Sequence, residues 1–313
     1  MPAYQTTSPV LFLIFNRPDT TQKVFEQICE AKPARLYIAA DGPRRDREGE
    51  DLLCREARKI IENINWPCEI KTLFREQNMG AKDAVSDAIR WFFDSEEEGI
   101  ILEDDCLPNN SFFYFCDTLL EKYRYDARIG SIGGCNLQHG RVWGDASYYF
   151  SKQVHIWGWA SWRRVWKDYD KELVNYNDKQ AIERIPSVFN DPFITKELLY
   201  IFHEIKEGKG NYWDYQFAFT SYFNSFLCIV PNINLITNIG FGEGATHTFD
   251  ISSTDANIPS FNITEITHPE YIMPENEADY IMVGSGFNID DKKRKYKKLT
   301  RRLKRWLKIS KSI

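Results

Sequence analysis

The first hundred residues switch repeatedly between two hydrophobic periods, and that alternation restricts the fold more than any other feature of the chain. Val10-Leu-Phe-Leu-Ile-Phe15 is an unbroken apolar run, the pattern of a strand covered on both faces. Asn16-Arg17-Pro18 breaks it. Asp19, with Gln22 three positions on, is placed to cap a helix whose buried stripe is Val24, Phe25 and Ile28. Leu36-Tyr-Ile-Ala-Ala40 reads as a second strand, stopped by Asp41-Gly42-Pro43. A helix through Leu52, Leu53, Ile60 and Ile61 follows, then a strand near Ile70–Phe74. Ala81, Ala84, Val85, Ala88, Ile89 and Phe92 share one helical face, and Gly99-Ile100-Ile101-Leu102 is sized for one more buried strand. Strands alternating with helices predict an α/β protein: a mixed, mostly parallel sheet with helices on both faces.

In such a sheet, ligands sit at the carboxyl ends of the strands. The polar residues at those ends are Asn16-Arg17, Asp41-Gly42, Arg75 with the Asn78–Lys82 turn, and Glu103-Asp104-Asp105. Three adjacent carboxylates at a strand end repel one another unless a cation sits among them. A divalent ion, Mn2+ or Mg2+, fits because it prefers oxygen ligands and keeps positions open for phosphate. The plain alternative is a solvated acidic turn. The turn Asn78-Met79-Gly80 is expected to expose unpaired amide hydrogens. Neither GxGxxG nor GxxxxGK[ST] occurs, so metal and basic side chains are left to hold any phosphates.

Later motifs carry fewer alternatives for the fold and more for the chemistry. A helix built on Phe112, Phe113, Phe115 and Leu119 reads as core, and Ile129–Gly134 as a strand and turn. Val154 to Trp162 contains three tryptophans in six residues; extended, Trp157 and Trp159 would share a face, while Gly158 permits close backbone approach. The segment lines either a sugar site or a tryptophan-rich core. Arg163–Lys209 reads as a charged helical cover. In Gly210-Asn211-Tyr212-Trp213-Asp214-Tyr215-Gln216, Asp214 is either a structural acceptor or a base made more basic by desolvation. Thr237 to Thr248 holds three glycines in five residues and reads as a mobile loop; Thr246, His247 and Thr248 could touch phosphate or metal there.

Composition narrows the setting. The seven cysteines are scattered without CxxC spacing, so neither a zinc site nor a disulfide framework is indicated, and a reducing, cytosolic environment fits. Met-Pro-Ala-Tyr-Gln lacks the basic start of a signal peptide, and no run has the apolar length to span a bilayer. From Lys292 to Ile313 there are 12 Lys or Arg and no acid; with a net charge of −5 overall, residues 1–291 carry −17. An acidic body argues against nucleic acid as a partner. In the tail, Tyr296, Leu299, Leu303, Trp306 and Leu307 recur at helical spacing among basic residues. That pattern suits a helix on an anionic membrane surface, or one docked on the acidic body or another subunit.

Taken together, Phe15-Asn16-Arg17-Pro18, Asp41-Gly42, Asn78-Met79-Gly80 and Ile101-Leu102-Glu103-Asp104-Asp105 with Phe112-Phe113 resemble the GT-A glycosyltransferases. The likeness is to the N-acetylglucosaminyltransferase I type and its bacterial relatives, over roughly residues 9 to 250. It implies a Rossmann-like nucleotide-diphospho-sugar fold in which Asp105 binds the metal, Asp104 approaches the sugar or ribose, and Asp41 contacts uracil. Arg17 and Lys82 match positions near the base and phosphates. Gly158-Trp159 matches a Gly-Trp at the donor–acceptor junction, Asp214 a catalytic aspartate in a Trp-Asp context, and the His247 segment a loop over the diphosphate.

The expected organisation is a nucleotide-sugar half (1–105), an acceptor half of the same domain (106–250), a wrapping segment or linker (251–291) and a basic amphipathic tail (292–313). Asn16, Gly42, Asn78 and Glu103 are expected to join Arg17, Asp41, Lys82, Asp104, Trp159 and His247 around the donor. The expected function is inverting, metal-dependent transfer from a UDP-sugar or similar donor to a glycan or lipid-linked acceptor. The expected location is cytoplasmic, on the inner face of the cell membrane. The alternatives are a sugar nucleotidyltransferase, which should carry a Gly-rich basic loop after the first strand, and a non-catalytic membrane-associated carbohydrate-binding protein.

Overall fold

The structure, a computed structural model, describes residues 3–242 and 254–309, without the side chains of Asp178 and residues 301–309. Its first part runs β1 (Val10–Ile14), α1 (Pro18–Ala31), β2 (Arg35–Ala40), α2 (Glu50–Lys59), β3 (Glu69–Phe74), α3 (Ala81–Ser95) and β4 (Glu98–Glu103). All four strands pair in parallel, in the order β3-β2-β1-β4. The chain therefore moves outward from β1 to β3 and then returns past β1 to β4. Right-handed crossovers put α3 on the opposite face from α1 and α2. The packing agrees: α1 meets α2, whereas α3 meets the short helix α5 (Arg163–Trp166). The reversal creates a switch point between β1 and β4, and a crevice opens at their carboxyl ends.

The rest of the chain completes the same sheet. After β4 come β5 (Cys106–Pro108), α4 (Asn110–Tyr123), β6 (Ile129–Gly133), β7 (Tyr148–Ser151) and β8 (Trp159–Trp162). Beyond α5 follow α6 (Asp178–Phe189), α7 (Pro192–Lys206), α8 (Asp214–Asn224), β9 (Leu227–Pro231), β10 (Ile236–Asn238), α9 (Asn276–Gly286) and α10 (Ile289–Ile309). The full sheet has eight strands in the order β3-β2-β1-β4-β8-β6-β9-β7, with β8 and β7 running against the others. This is the mixed, mostly parallel α/β architecture that the alternating periods predict. β5 and β10 form a separate antiparallel pair behind the acidic strand end.

Why the chain settles here is visible in its glycines and rings. Gly99 is required as the second residue of β4, because an added Cβ would lie 2.3 Å from the Phe92 ring of α3. Phe112, Phe113, Phe115 and Leu119 of α4 are fully buried, as their stripe predicts. A second core joins Leu173, Ile185, Leu198, Phe202 and Phe219 to Val283 and Ile289, so the charged cover and the last two helices form one helical lobe.

Several local expectations change. Pro18 is itself the first residue of α1, which leaves Asp19 in the first turn instead of at the cap. Leu52 and Leu53 are exposed, and α2 buries Cys54 and Ala57 in their place. The expected linker contains α9, whose helical stripe is hidden in sequence by two glycines near its end. Thr246, His247 and Thr248 lie outside the described residues.

Candidate active site

The strand ends converge as the sequence suggests, but several side chains do different work there. Asp104 accepts a hydrogen bond from Arg17 at 2.7 Å and another from the Phe15 amide at 3.1 Å. The same Arg17 nitrogen donates to Asp105 at 3.0 Å. The cation that three adjacent acids require is thus already on the chain, one residue after β1 and its Phe15-Asn16 exit. Asp104, with only 5% of its side chain exposed, is a buried counter-ion and has little surface to offer a ribose. Asp105 is more open, and Gly240 packs against it so closely that a Cβ there would lie 2.2 Å from its carboxylate and 2.7 Å from Arg17.

Glu103 completes the cluster differently. Its carboxyl makes no hydrogen bond with a described residue. Burial, then repulsion from Asp105 and Asp104, pushes its carboxyl up to about 8, with Arg17 pulling the other way. In the absence of divalent cations, the melting temperature of the protein relative to Glu103→Gln is expected to fall as pH rises from 4.5 to about 8, because the folded chain keeps a proton on Glu103 that the unfolded chain releases. Melting curves of both proteins in a chelator measure that difference. A difference that does not change with pH would remove Glu103 from the account.

Asp41 turns out to be an organiser of the crevice wall. Its carboxylate accepts from the amides of Gly42 (2.8 Å), Met79 (3.0 Å) and Gly80 (3.1 Å), and from Asn78 Nδ2 (2.9 Å). The amides expected to be unpaired are therefore spent on Asp41, which ties the end of β2 to the start of α3. Gly42 is required beside it, since a Cβ would sit 2.4 Å from the Gln77 nitrogen. Contact with a base would have to share a carboxylate already used four times. Asn16 likewise faces inward, donating to Glu50 at 2.8 Å, and Glu50 also pairs with Arg44. Lys82 points away: its ammonium pairs with Glu172 at 2.7 Å and lines neither cavity described below.

Two adjoining cavities open above these residues. The first, about 220 Å³, lies at the β1/β4 switch point between Asn16, Asp41, Arg44, Arg75, Asn78 and Glu103. The second, about 390 Å³, holds Asp105 and Asp214 together with Trp157, Tyr212 and Asn238. Arg17, Glu103 and Asn211 line both. Asp214 and Asp105 thus share one compartment, although they are far apart in sequence. Asp214 opens α8, where the free amides of a first helical turn favour a negative side chain.

Trp159 is not at the surface of either cavity. It is fully buried, stacked on Trp213 with centroids 6.0 Å apart and packed on Phe217 at 5.1 Å. Its indole nitrogen has no hydrogen-bond partner among the described residues. The core reading holds for Trp159, and its use is to seat Trp213, the residue that precedes Asp214. Trp157 instead lines the second cavity, edge-on to Phe241 at 5.8 Å. Arg44 and Asn211 line the cavities, and Glu50 holds Arg44 and Asn16 from behind; the sequence singles out none of the three. Asn211 accepts the Lys82 amide at 2.8 Å across 129 residues, a contact with no local signature.

Among the described residues no three His, Cys, Asp or Glu side chains converge as a metal cage. A Mg2+-like ion needs fewer: one or two carboxylates suffice when phosphate oxygens supply the rest. Asp105, open to the second cavity beside Glu103, meets that smaller demand.

No family model and no curated protein matches the chain. Among solved structures it is similar to an apo UDP-glucose pyrophosphorylase, with 13% identity over 74% of this chain and 93% of that one, at a TM-score of 0.40. HddC from Yersinia pseudotuberculosis matches at 10% identity over 52% of this chain and 80% of that one (TM-score 0.32). A 4-diphosphocytidyl-2C-methyl-D-erythritol synthase from Anaerococcus prevotii DSM 20548 matches at 9% over 53% and 77% (TM-score 0.34). The pyrophosphorylase name belongs with the sugar-nucleotidyltransferase alternative and not with a glycosyltransferase. Likenesses this distant carry no argument about chemistry, and the mixed α/β class rests on the sheet itself.

Proposed function

We propose that the protein is a nucleotide-sugar-dependent glycosyltransferase, with the nucleotide in the crevice at the switch point and sugar and acceptor in the adjoining cavity. The observation that carries this reading is the single compartment lined by both Asp105 and Asp214 and continuous with the crevice through Arg17 and Glu103. Asp214 accepts the proton of an acceptor hydroxyl as it attacks the anomeric carbon, and one displacement inverts that carbon. Trp157 offers a ring face to the pyranose. Asp105 would hold a Mn2+ or Mg2+ ion, which when bound supplies charge neutralisation to the departing nucleotide diphosphate. Arg17 keeps Asp104 and Asp105 aligned at that boundary.

Sugar nucleotidyl transfer is the second reading, the chemistry named by the pyrophosphorylase above. It uses the same crevice but calls for a Gly-rich basic loop after the first strand. Here β1 passes into α1 through Phe15, Asn16 and Arg17 alone. The two readings separate at the product. A thermal-shift panel of nucleotide sugars with manganese selects the donor, which is then incubated with glycan acceptors or with pyrophosphate. Glycoside and nucleoside diphosphate are expected; nucleoside triphosphate formed from pyrophosphate would install the second reading. In the same panel Asp105→Ala is expected to lose the metal-dependent part of the donor shift. Equal shifts with and without metal in the unmodified protein would remove the ion from the account.

A further inference from the structure

The most unusual surface outside the crevice belongs to α10, and its two halves behave differently. The first half is fastened to the helical lobe. Ile289 is fully buried, Lys292 pairs with Glu197 at 2.8 Å, Lys293 pairs with Asp191, and Tyr296 meets the Phe193 ring at 5.7 Å. After that the contacts stop among the described residues. Lys295, Lys297 and Lys298 are exposed and make no ion pair with the lobe among the described residues, Lys295 having only Asp291 of its own helix nearby, and Leu299 is 57% exposed. The apolar stripe that begins at the buried Ile289 continues at helical spacing through the exposed Tyr296 and Leu299, and the sequence extends the same spacing to Leu303, Trp306 and Leu307. An apolar stripe thus leaves the body flanked by lysines that meet no acid of the lobe, in a helix that carries no acid after Asp291.

A body with net charge −17 over residues 1–291 contains many acids that such cations could have found, yet among the described side chains of α10 only Lys292 and Lys293 pair with the lobe. No helix among the described residues is long and apolar enough to cross a membrane. We infer that the outer part of α10 lies in the plane of an anionic lipid surface. Its apolar stripe enters the headgroup boundary, its lysines and arginines meet lipid phosphates, and the Lys292 and Lys293 pairs fix the body's orientation to that surface. This inference concerns α10 alone and stands or falls apart from the reading of the crevice.

Co-sedimentation of the full chain with vesicles tests it. Binding is expected to phosphatidylcholine vesicles containing phosphatidylglycerol, to weaken with salt, and to be slight on phosphatidylcholine alone. Lys295→Gln, Lys297→Gln and Lys298→Gln together should lower partitioning by about a hundredfold, and Leu299→Asp should lower it further. Because these side chains are exposed, unchanged melting curves will show that the variants fold. No binding, equal binding to neutral vesicles, or full binding by the variants would overturn the inference. So would a self-association that Leu299→Asp abolishes, since the stripe would then be covered by a second copy of the chain.

Discussion

Asp214→Asn is expected to lower turnover about 10²- to 10⁴-fold while leaving donor affinity unchanged. Asparagine keeps the shape and the place at the start of α8, so Trp213 and the cavity wall stay as they are. What it loses is the ability to take a proton from the attacking hydroxyl, and that loss falls wholly on the transition state. Steady-state kinetics with the donor chosen by the panel will separate the two. A variant with normal turnover would take Asp214 out of the chemistry, and one with weakened donor binding would make it part of the donor site.

Arg17→Met is expected to destabilise the fold by about 3–5 kcal/mol, the usual cost of stranding a buried charge. Both Asp104 and Asp105 lean on one guanidinium nitrogen. Urea denaturation measures the loss. Magnesium or manganese should restore part of it, because a divalent ion can occupy the position the guanidinium leaves. Stability equal to the unmodified protein would mean that the acids are relieved by water and that Arg17 is incidental.

The Arg17 cluster also shows where reading the sequence reaches and where it stops. The repulsion among Glu103, Asp104 and Asp105 is legible, as is the need for a cation. That the nearest cation is Arg17 depends on β1 and β4 being neighbours, which the strand order settles and the local pattern does not. Apolar runs and helical stripes announce β1, β2, β4 and α3 because burial on both faces leaves few polar positions. The Trp157–Trp159 pair is harder. Alternation puts both on one face only if the chain is extended, and Gly158 at φ +61° turns it, sending Trp157 to the cavity and Trp159 into the core. Asp41 misleads for a related reason. An acid at a strand end is free to meet a ligand until a distant turn claims it, and the Met79 and Gly80 amides do so here. Lys82 lies next to that turn, but Glu172 draws its charge away.

The most direct test is a crystal structure with a UDP-sugar and manganese. The account predicts uridine in the crevice between Asn16 and Arg75, the diphosphate beside Asp105, and the sugar's anomeric carbon between Asp105 and Asp214. A nucleotide bound elsewhere, or a sugar lying outside the cavity that these two aspartates share, would contradict it.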